Sequence, residues 1–391
     1  MHPERIVEHA LKLVDQSVGY VPLHHQLSKY FSAHKSMGSR DRRFCRALVY
    51  SFYRITNALP DLPIRDQMSI GAWLMNELPA DFVSYLLSDS RFDLNLMTFN
   101  SFDERLECLK QKTYFNIESL FPCKDELSNQ ISKSAYCLSM LSQPLVWIRV
   151  RPSYIKMLND ELNQHNIFPL VQDFDANAWA FAPGIKLDQL NSFSLGYFEV
   201  QDLASQRVVD FLHPKKGQSW WDACAASGGK SLMLLDKIPD LKLLATDVRA
   251  NILENFKERM KKAGHNQFRT KHLDLTKEGL QKEEQFDGII ADVPCTGSGT
   301  WARTPEQLRN FNCTTIQDKY VPLQRSILEN IVPQLSENSQ LVYITCSVFK
   351  SENEENVNWM VERFKLKVVS ASYISCYFDR ADTMFAAIIT K

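Results

Sequence analysis

Trp221-Asp222-Ala223-Cys224-Ala225-Ala226-Ser227-Gly228-Gly229-Lys230-Ser231 is the stretch that decides the fold. Apolar residues lead into it as a strand, and a helix starts at its end. The two glycines therefore sit at a strand-to-helix turn. Glycine lets the backbone approach a ligand closely, and the first amide groups of a helix are free to bind one. Two familiar nucleotide loops are excluded by spacing, since neither GxGxxG nor GxxxxGK[ST] is satisfied. Gly228-Gly229-Lys230-Ser231 matches the tail of the second, but Ala225 and Cys224 stand where its earlier glycine would be. The plain alternative is a tight turn with no ligand.

Outward from that turn, the chain beyond about residue 200 alternates strand and helix. Strands are expected at Ser219–Ala223, Leu241–Thr246, Gln267–Leu273, Asp287–Asp292, Gln340–Thr345, Lys365–Val369 and Phe385–Thr390. Helices fall between them, including Arg249–Ala263, capped by Gly264, and Ile316–Leu335. Such alternation implies a mostly parallel sheet covered on both faces. The last two strands are too close for a crossover helix, which predicts an antiparallel edge strand. Upstream, Pro144–Val150 reads as a strand followed by a helix near Tyr154–Gln164 and an apolar segment near Phe168–Val171. The residues before about 140 have helical periodicity, with Ile6, Ala10, Leu11, Leu13 and Val14 on one face and Cys45, Leu48, Val49, Phe52 and Tyr53 on another. The expected division is an all-α domain at 1–140, a small α/β subdomain at 141–198 and an α/β domain at 199–391.

The 391 residues, 45% hydrophobic and 23% charged, are those of an ordinary globular protein with room for two or three cores. No apolar run is long enough to span a membrane, and the charged N-terminus does not read as a secretory signal. Nine cysteines are scattered without metal-site spacing, which predicts no metal, and their odd number suggests a reducing compartment, hence a cytoplasmic location. A formal charge of −1 argues weakly against a nucleic-acid partner, but local clustering counts for more.

Acids and thiols recur at the predicted strand ends. Asp247 lies 18 residues past Gly229, near the distance at which an acid grips a ribose, and Asp274 ends the next strand. Either alone would more often be a cap or turn residue. The fourth strand runs into Asp292-Val293-Pro294-Cys295-Thr296-Gly297-Ser298-Gly299, and the fifth into Thr345-Cys346-Ser347. A lone strand-end cysteine is usually a buried apolar residue. Two at neighbouring ends, beside Asp292, suggest a working pair. Downstream, Ser351 and Glu354 have capping-box spacing for a following helix.

Together these segments resemble the Sun/RsmB-type family of RNA 5-methylcytosine methyltransferases. That family's pattern reads approximately DxCAAPGGK, an acid, DxPCSGxG and TCSxxxxENE, found here at Asp222–Lys230, Asp247, Asp292–Gly299 and Thr345–Glu354. Val200–Gln206 and Met384–Ala387 are similar to its lead-in and last strand, and the resemblance runs from about residue 144 onward. It implies a class I, Rossmann-like S-adenosylmethionine-dependent sheet. It also implies a methyl group carried to carbon 5 of a cytosine in RNA, with small-subunit ribosomal RNA the expected partner. Cys346 would be the nucleophile, Cys295 would promote product release and Asp292 would act on the base.

The cofactor would be held by Cys224, Ala225, Ala226, Ser227, Gly228, Gly229 and Lys230 around its methionine part, by Asp247 and Arg249 at the ribose, by Asp274 at the adenine, and by Asp292. The chemistry explains the thiols. Carbon 5 of cytosine becomes nucleophilic only after a thiolate adds to carbon 6, and thiolate is favoured where cations or helix N-termini lower the thiol pKa. Two departures stand out: Ser227 replaces the family's proline, which should loosen the loop, and Ala302 leaves Arg303 without a preceding arginine.

The N-terminal stretch Gly38–Tyr50 resembles a NusB-like RNA-binding domain. Arg40, Arg42 and Arg43, with Lys35, Arg46 and Arg54, make a basic patch suited to phosphate, and Arg303 is a further RNA contact. A solvated helix face is the plain alternative. A monomer is expected. Against the enzyme stands a non-catalytic RNA-binding scaffold, which would have lost a cysteine or a strand-end acid. Amino-group methylation would need an aromatic residue where Cys295 stands.

Overall fold

Apolar residues recur every third or fourth position through Ser39–Ile55, and this stretch forms a 17-residue helix whose N-terminus is capped by Asp41 accepting from the Gly38 amide at 3.1 Å. In the computed structural model, which describes residues 1–16, 21–88, 101–173, 177–281 and 284–391, that helix is central to the first of two compact units. This unit comprises Met1–Asp125, Ser132–Gln143 and Trp301–Cys313. The helices Pro3–Asp15, Leu23–Ala33, Ile64–Met75, Ala80–Ser88 and Phe102–Lys112 supply the rest of its core. Gly71 lets Ile64–Met75 lie close against the central helix, since a Cβ there would come 2.8 Å from the Ser51 carbonyl oxygen.

Residues 301–313 are part of this unit. The Trp301 ring packs between Phe121 and Phe311, Glu306 accepts from the Leu23 amide at 2.9 Å, and a disulfide joins Cys123 to Cys313. Two cysteines 190 residues apart meet, a pairing no sequence spacing indicates. Arg54, expected in the basic patch, is corrected here. It is 1% exposed and donates to the carbonyl of Met140, the side chain of Gln143 and the carbonyl of Ala302. It therefore serves the core and not a basic surface.

The second unit comprises Glu126–Ile131, Pro144–Thr300 and Thr314–Lys391. Its smaller sheet is antiparallel, with β1 (Val146–Val150), β2 (Val171–Asp173), β3 (Ala178–Phe181) and β4 (Phe198–Val200) in the order β2-β3-β1-β4. The helix Ile155–Gln164 buries Leu158 and Leu162 against it. Phe168 and Leu170, expected within an apolar segment, are exposed.

The larger sheet contains β5 (Ser219–Asp222), β6 (Lys242–Asp247), β7 (Phe268–His272), β8 (Phe286–Asp292), β9 (Leu335–Thr345), β10 (Lys367–Ser375) and β11 (Thr383–Thr390). All seven expected strands are present, in the order β10-β11-β9-β8-β5-β6-β7. Every pair from β9 to β7 is parallel, and β11 is antiparallel to both of its neighbours. The antiparallel strand therefore lies inside the sheet and not at its edge. Burial explains the exchange, because Thr383–Ile389 is buried on both faces while β10 exposes Val368 and Val369.

The helix expected over 316–335 is three pieces: a π turn at Ile316–Tyr320, an α-helix at Val321–Ile331 and a 3₁₀ turn at Val332–Gln334. Pro322 and Pro333, which lack amide donors, mark the two breaks. Gly264 takes φ +85° after the helix Ala250–Lys262, as expected of a C-terminal cap. Among the described residues no helix is long and apolar enough to cross a membrane.

Gly288 on β8 pairs with Trp220 on β5, and a Cβ there would fall 2.3 Å from the buried indole. Gly288→Ala is expected to destabilise the second unit by about 1–3 kcal/mol through overpacking. Denaturant unfolding measures this, and an unchanged midpoint would mean that Trp220 has room to move.

Candidate active site

The glycine turn is built by packing. Beyond Asp222 the chain stays pinned to the sheet through the Ala223 amide on Ile290 and the Ala225 amide on Thr246, both at 2.9 Å. Ala226 and Gly228 then take positive φ of 46° and 87°. Gly228 has no alternative, since a Cβ would lie 2.6 Å from the Phe256 ring. Ser227, where the resemblance has proline, is not loose. Arg259 donates to its carbonyl at 3.1 Å and its hydroxyl at 3.0 Å. Arg259 escaped the sequence reading because it lies on a helix that otherwise reads as a solvated face.

Asp222 is wholly buried, with Oδ2 accepting from Ser231 at 2.7 Å and Oδ1 without a partner. Burial pushes its carboxyl up to about 7. Asp247 is buried too, but its oxygens accept from the Ala226 amide and, through three bonds, from Arg249. Burial raises its pKa, and those bonds outweigh it and hold the carboxyl below the usual range. Arg249 itself is half exposed. Asp274 is placed differently. Its carboxylate closes on Thr276 and on Lys277 at 2.8 Å, which lowers its pKa to about 2. That is the local turn role.

Asp292, at the end of β8, forms an ion pair with Lys230 at 2.6 Å. Burial lowers the lysine's pKa, but Asp292 first, then Cys346 and Asp222, raise it above the ordinary value. Lys230 is thus the cation that faces the reactive end of the sheet. Arg149, Gln201, Asp202 and Arg259 join Ala225–Ser227, Lys230 and Asp292 in lining a cleft of about 340 Å³. Arg149 and Gln201 come from the smaller sheet and its exit, where the sequence reading placed no site residue.

The two cysteines meet. Cys295 Sγ and Cys346 Sγ are 3.2 Å apart and half-buried. Parallel pairing sets Asp292 opposite Ile344, and the Gly299 amide donates to the Cys346 carbonyl at 2.9 Å. Only glycine fits at 299, because a Cβ would lie 2.0 Å from the Thr383 carbonyl oxygen. The hydrogen bond with Cys346, then burial, push the Cys295 thiol well above its ordinary pKa. Cys224 is likewise raised by burial.

Ser351 does not cap the next helix. A 3₁₀ turn at Lys350–Glu352 intervenes and Asn353 takes the cap position, while Ser351 accepts from Gln317 at 2.9 Å. The RNA candidates lie in the helical unit. Arg40 and Arg43 are exposed over the Phe44 ring at 5.1 and 5.4 Å, Arg42 is half-buried, and Arg303 belongs to the 301–313 segment. Among the described residues, no group of three His, Cys, Asp or Glu side chains is placed to hold a metal.

Residues 209–376 match the family described as 16S rRNA methyltransferase RsmB/F. That stretch, less than half of the chain, is therefore similar to the RsmB/F methyltransferases. Ribosomal RNA small subunit methyltransferase B of Yersinia enterocolitica is 31% identical over 233 residues, covering 56% of this chain and 52% of that protein. The protein of the same name from Yersinia pseudotuberculosis is 28% identical over 227 residues, with the same coverage. The chain thus spans about half the length of these relatives. Among solved structures, PH0851 has a TM-score of 0.71 at 18% identity and covers 100% of this chain and 99% of its own. NSun6 from Pyrococcus horikoshii with SFG has a TM-score of 0.59 at 18% identity, over 70% and 98%. The larger sheet, by its strand order and these likenesses, has the class I, Rossmann-like fold.

The second unit buries Asp222 with one oxygen unsatisfied, so its protonated form is the one the fold favours. The folded pKa lies above the unfolded value of 3.8, so the stability it contributes is full below about 4 and is lost as pH rises through about 7. Asp222→Asn is therefore expected to flatten the fall in stability between pH 5 and pH 9, by up to a few kcal/mol. Denaturant curves at both pH values read this directly, and parallel curves for the two proteins would contradict it.

Proposed function

We propose that this chain transfers a methyl group from S-adenosylmethionine to carbon 5 of a cytosine in RNA, with small-subunit ribosomal RNA as substrate. The observation that carries the reading is the thiol pair, 3.2 Å apart at the ends of adjacent parallel strands, beside the Lys230–Asp292 ion pair. The RsmB/F match and the names of the Yersinia relatives support it.

The residues fit the cofactor. The cleft runs from the glycine turn to Asp292, and Arg149 leaves a buried Nη2 without a partner at its wall, suited to a carboxylate. The Cys224–Lys230 turn would hold the methionine part, and Asp247 the ribose diol, with the half-exposed Arg249 side chain moving aside. Bound there, S-adenosylmethionine supplies an electrophilic methyl group. Asp274, its carboxylate closed on Thr276 and Lys277, would contact adenine only at the expense of that turn.

The chain's own residues do the rest. Cys346 Sγ, facing Lys230, forms the bond to carbon 6 of the base, and the electron pair moves toward carbon 5. Asp292 meets ring nitrogen 3 and passes to it the proton that leaves the Cys346 thiol, a proton given back when the Cys346–carbon 6 bond breaks. Lys230 holds the carboxylate in place through their ion pair. Once carbon 5 carries the methyl group, its remaining proton must leave before the Cys346–carbon 6 bond can break. Cys295, in contact with Cys346, is placed to promote that release. The exposed Arg40 and Arg43, with Arg42 and Arg303, would engage RNA phosphates, and a neutral total charge does not oppose such a local patch.

Incubation of the full chain with S-adenosylmethionine and ribosomal RNA from a strain lacking the gene, read by bisulfite sequencing, tests the reaction. Cys346→Ala is expected to lower transfer by roughly three orders of magnitude or more, as loss of a nucleophile does. Cys295→Ala is expected to accumulate an RNA–protein adduct that survives denaturing electrophoresis. An adduct in Cys346→Ala but not in Cys295→Ala would reverse the two roles. No binding of S-adenosylmethionine in calorimetry would favour a non-catalytic scaffold.

A further inference from the structure

Glu352 is 0% exposed, in the turn Lys350–Glu352 that follows the Cys346 loop. A carboxylate so placed is costly unless its lone pairs are used. Here they are. Oε1 accepts from the Thr296 amide and from Gln324 Nε2, both at 2.9 Å. Oε2 accepts from the Thr296 hydroxyl at 2.6 Å and from the Ser347 hydroxyl. Thr296 is the residue after Cys295, and Ser347 is the residue after Cys346. One carboxylate therefore grips both cysteine loops at their first residue, and Ser298 adds a bond to Ser347 at 3.0 Å.

We infer that Glu352 is a positioning residue that keeps the Cys295 and Cys346 thiols in contact, acting through its reach and its acceptor geometry. In its kinetic consequence this rests on the reading of Cys346 as the attacking thiol and Cys295 as the releasing one. In its geometric consequence it does not. The parallel pairing of β8 and β9 ends at Asp292 and Ile344, so the backbone ladder alone does not fix the loops beyond it. The Gly299–Cys346 bond ties the far end of the Cys295 loop, and Glu352 ties its start.

Geometry and charge can be separated. In Glu352→Gln the amide oxygen can replace Oε1 toward the two fixed N–H donors. The amide nitrogen can then donate to the Thr296 and Ser347 hydroxyls, which rotate to accept. Reach is kept and charge is lost. In Glu352→Asp charge is kept and reach is lost, because the carboxylate withdraws by one methylene.

The test uses the full chain with diamide, an oxidant that takes one hydrogen from each of two thiols as the disulfide forms and is itself reduced to the hydrazine. The rate of Cys295–Cys346 cross-linking, read by peptide mass spectrometry, reports sulfur contact with no RNA or cofactor present. Wild type and Glu352→Gln are expected to cross-link within about twofold of each other, and Glu352→Asp and Glu352→Ala roughly tenfold or more slowly, as small misplacements of reacting atoms do. Equal rates in all four proteins would overturn the inference. So would a slow Glu352→Gln beside a normal Glu352→Asp, which would assign the effect to charge. Should Glu352→Ala not fold, the Gln and Asp variants still decide.

With RNA and S-adenosylmethionine, Glu352→Asp is expected to raise the ratio of trapped adduct to released product, which a uniform loss of folded protein would not do. An unchanged ratio in a variant that cross-links slowly would overturn the kinetic half. Absence of both methylated product and adduct in wild type would sink the proposed reaction and leave the cross-linking result standing.

Discussion

Two sulfur atoms in contact at the ends of adjacent parallel strands are the constraint around which the second unit is organised. Parallel pairing delivers β8 and β9 to the same edge of the sheet, but it stops at Asp292 and Ile344. Beyond that edge each cysteine sits on irregular backbone, which must be held by specific bonds or it would wander. Gly299 supplies one, and its missing Cβ is what allows the Thr383 backbone to pass so close. The interior position of β11 follows from the same need, since its first residue, Thr383, must reach the Cys295 loop while its apolar run is covered on both faces.

The electrostatics of the site rest on one lysine among several acids. Asp222, Asp247 and Asp292 all lie near the glycine turn, and each is neutralised differently. Asp292 takes Lys230 directly, Asp247 takes Arg249, and Asp222 is left with one hydroxyl and a pKa pushed up to about 7. Desolvation thus prevails at Asp222, and pairing prevails at Asp247. Cys346 in turn helps to hold the lysine's pKa above its ordinary value.

The strands and the strand-end residues were legible because parallel strands buried on both faces leave long apolar runs, and because Asp292, Cys295 and Cys346 follow those runs directly. What escaped notice depends on packing between distant segments. Arg259 reads as one of several charges on an amphipathic helix, yet it is the residue that fixes Ser227. Glu352 sits in a motif that also spells a capping box, and the local reading favoured Ser351 and Glu354. The intervening 3₁₀ turn moves the cap to Asn353 and turns Glu352 inward. Arg54 reads as part of a basic patch because four arginines precede it, and only the fold reveals that its carbonyl partners come from residues far along the chain.

The helical unit shows the same dependence on distance at a larger scale. Residues 301–313 complete it, and they lie immediately after the Cys295–Gly299 loop. Trp301 fills the space beside Phe121, Ala302 offers its carbonyl to Arg54, Glu306 satisfies the Leu23 amide, and Cys313 closes on Cys123. A segment ending near residue 140 would lack all four. Arg54 and the Leu23 amide would then be buried without these acceptors, at a cost of about 1–3 kcal/mol for each unsatisfied group. Conversely, residues 126–131 belong to the second unit, where the Ser128 amide donates to Val348 and Ser128 to Glu354, directly behind the Cys346 loop. The chain therefore contributes to the backing of its thiol pair from the stretch between two parts of the helical unit, and neither unit is a contiguous piece of sequence that could be cut free.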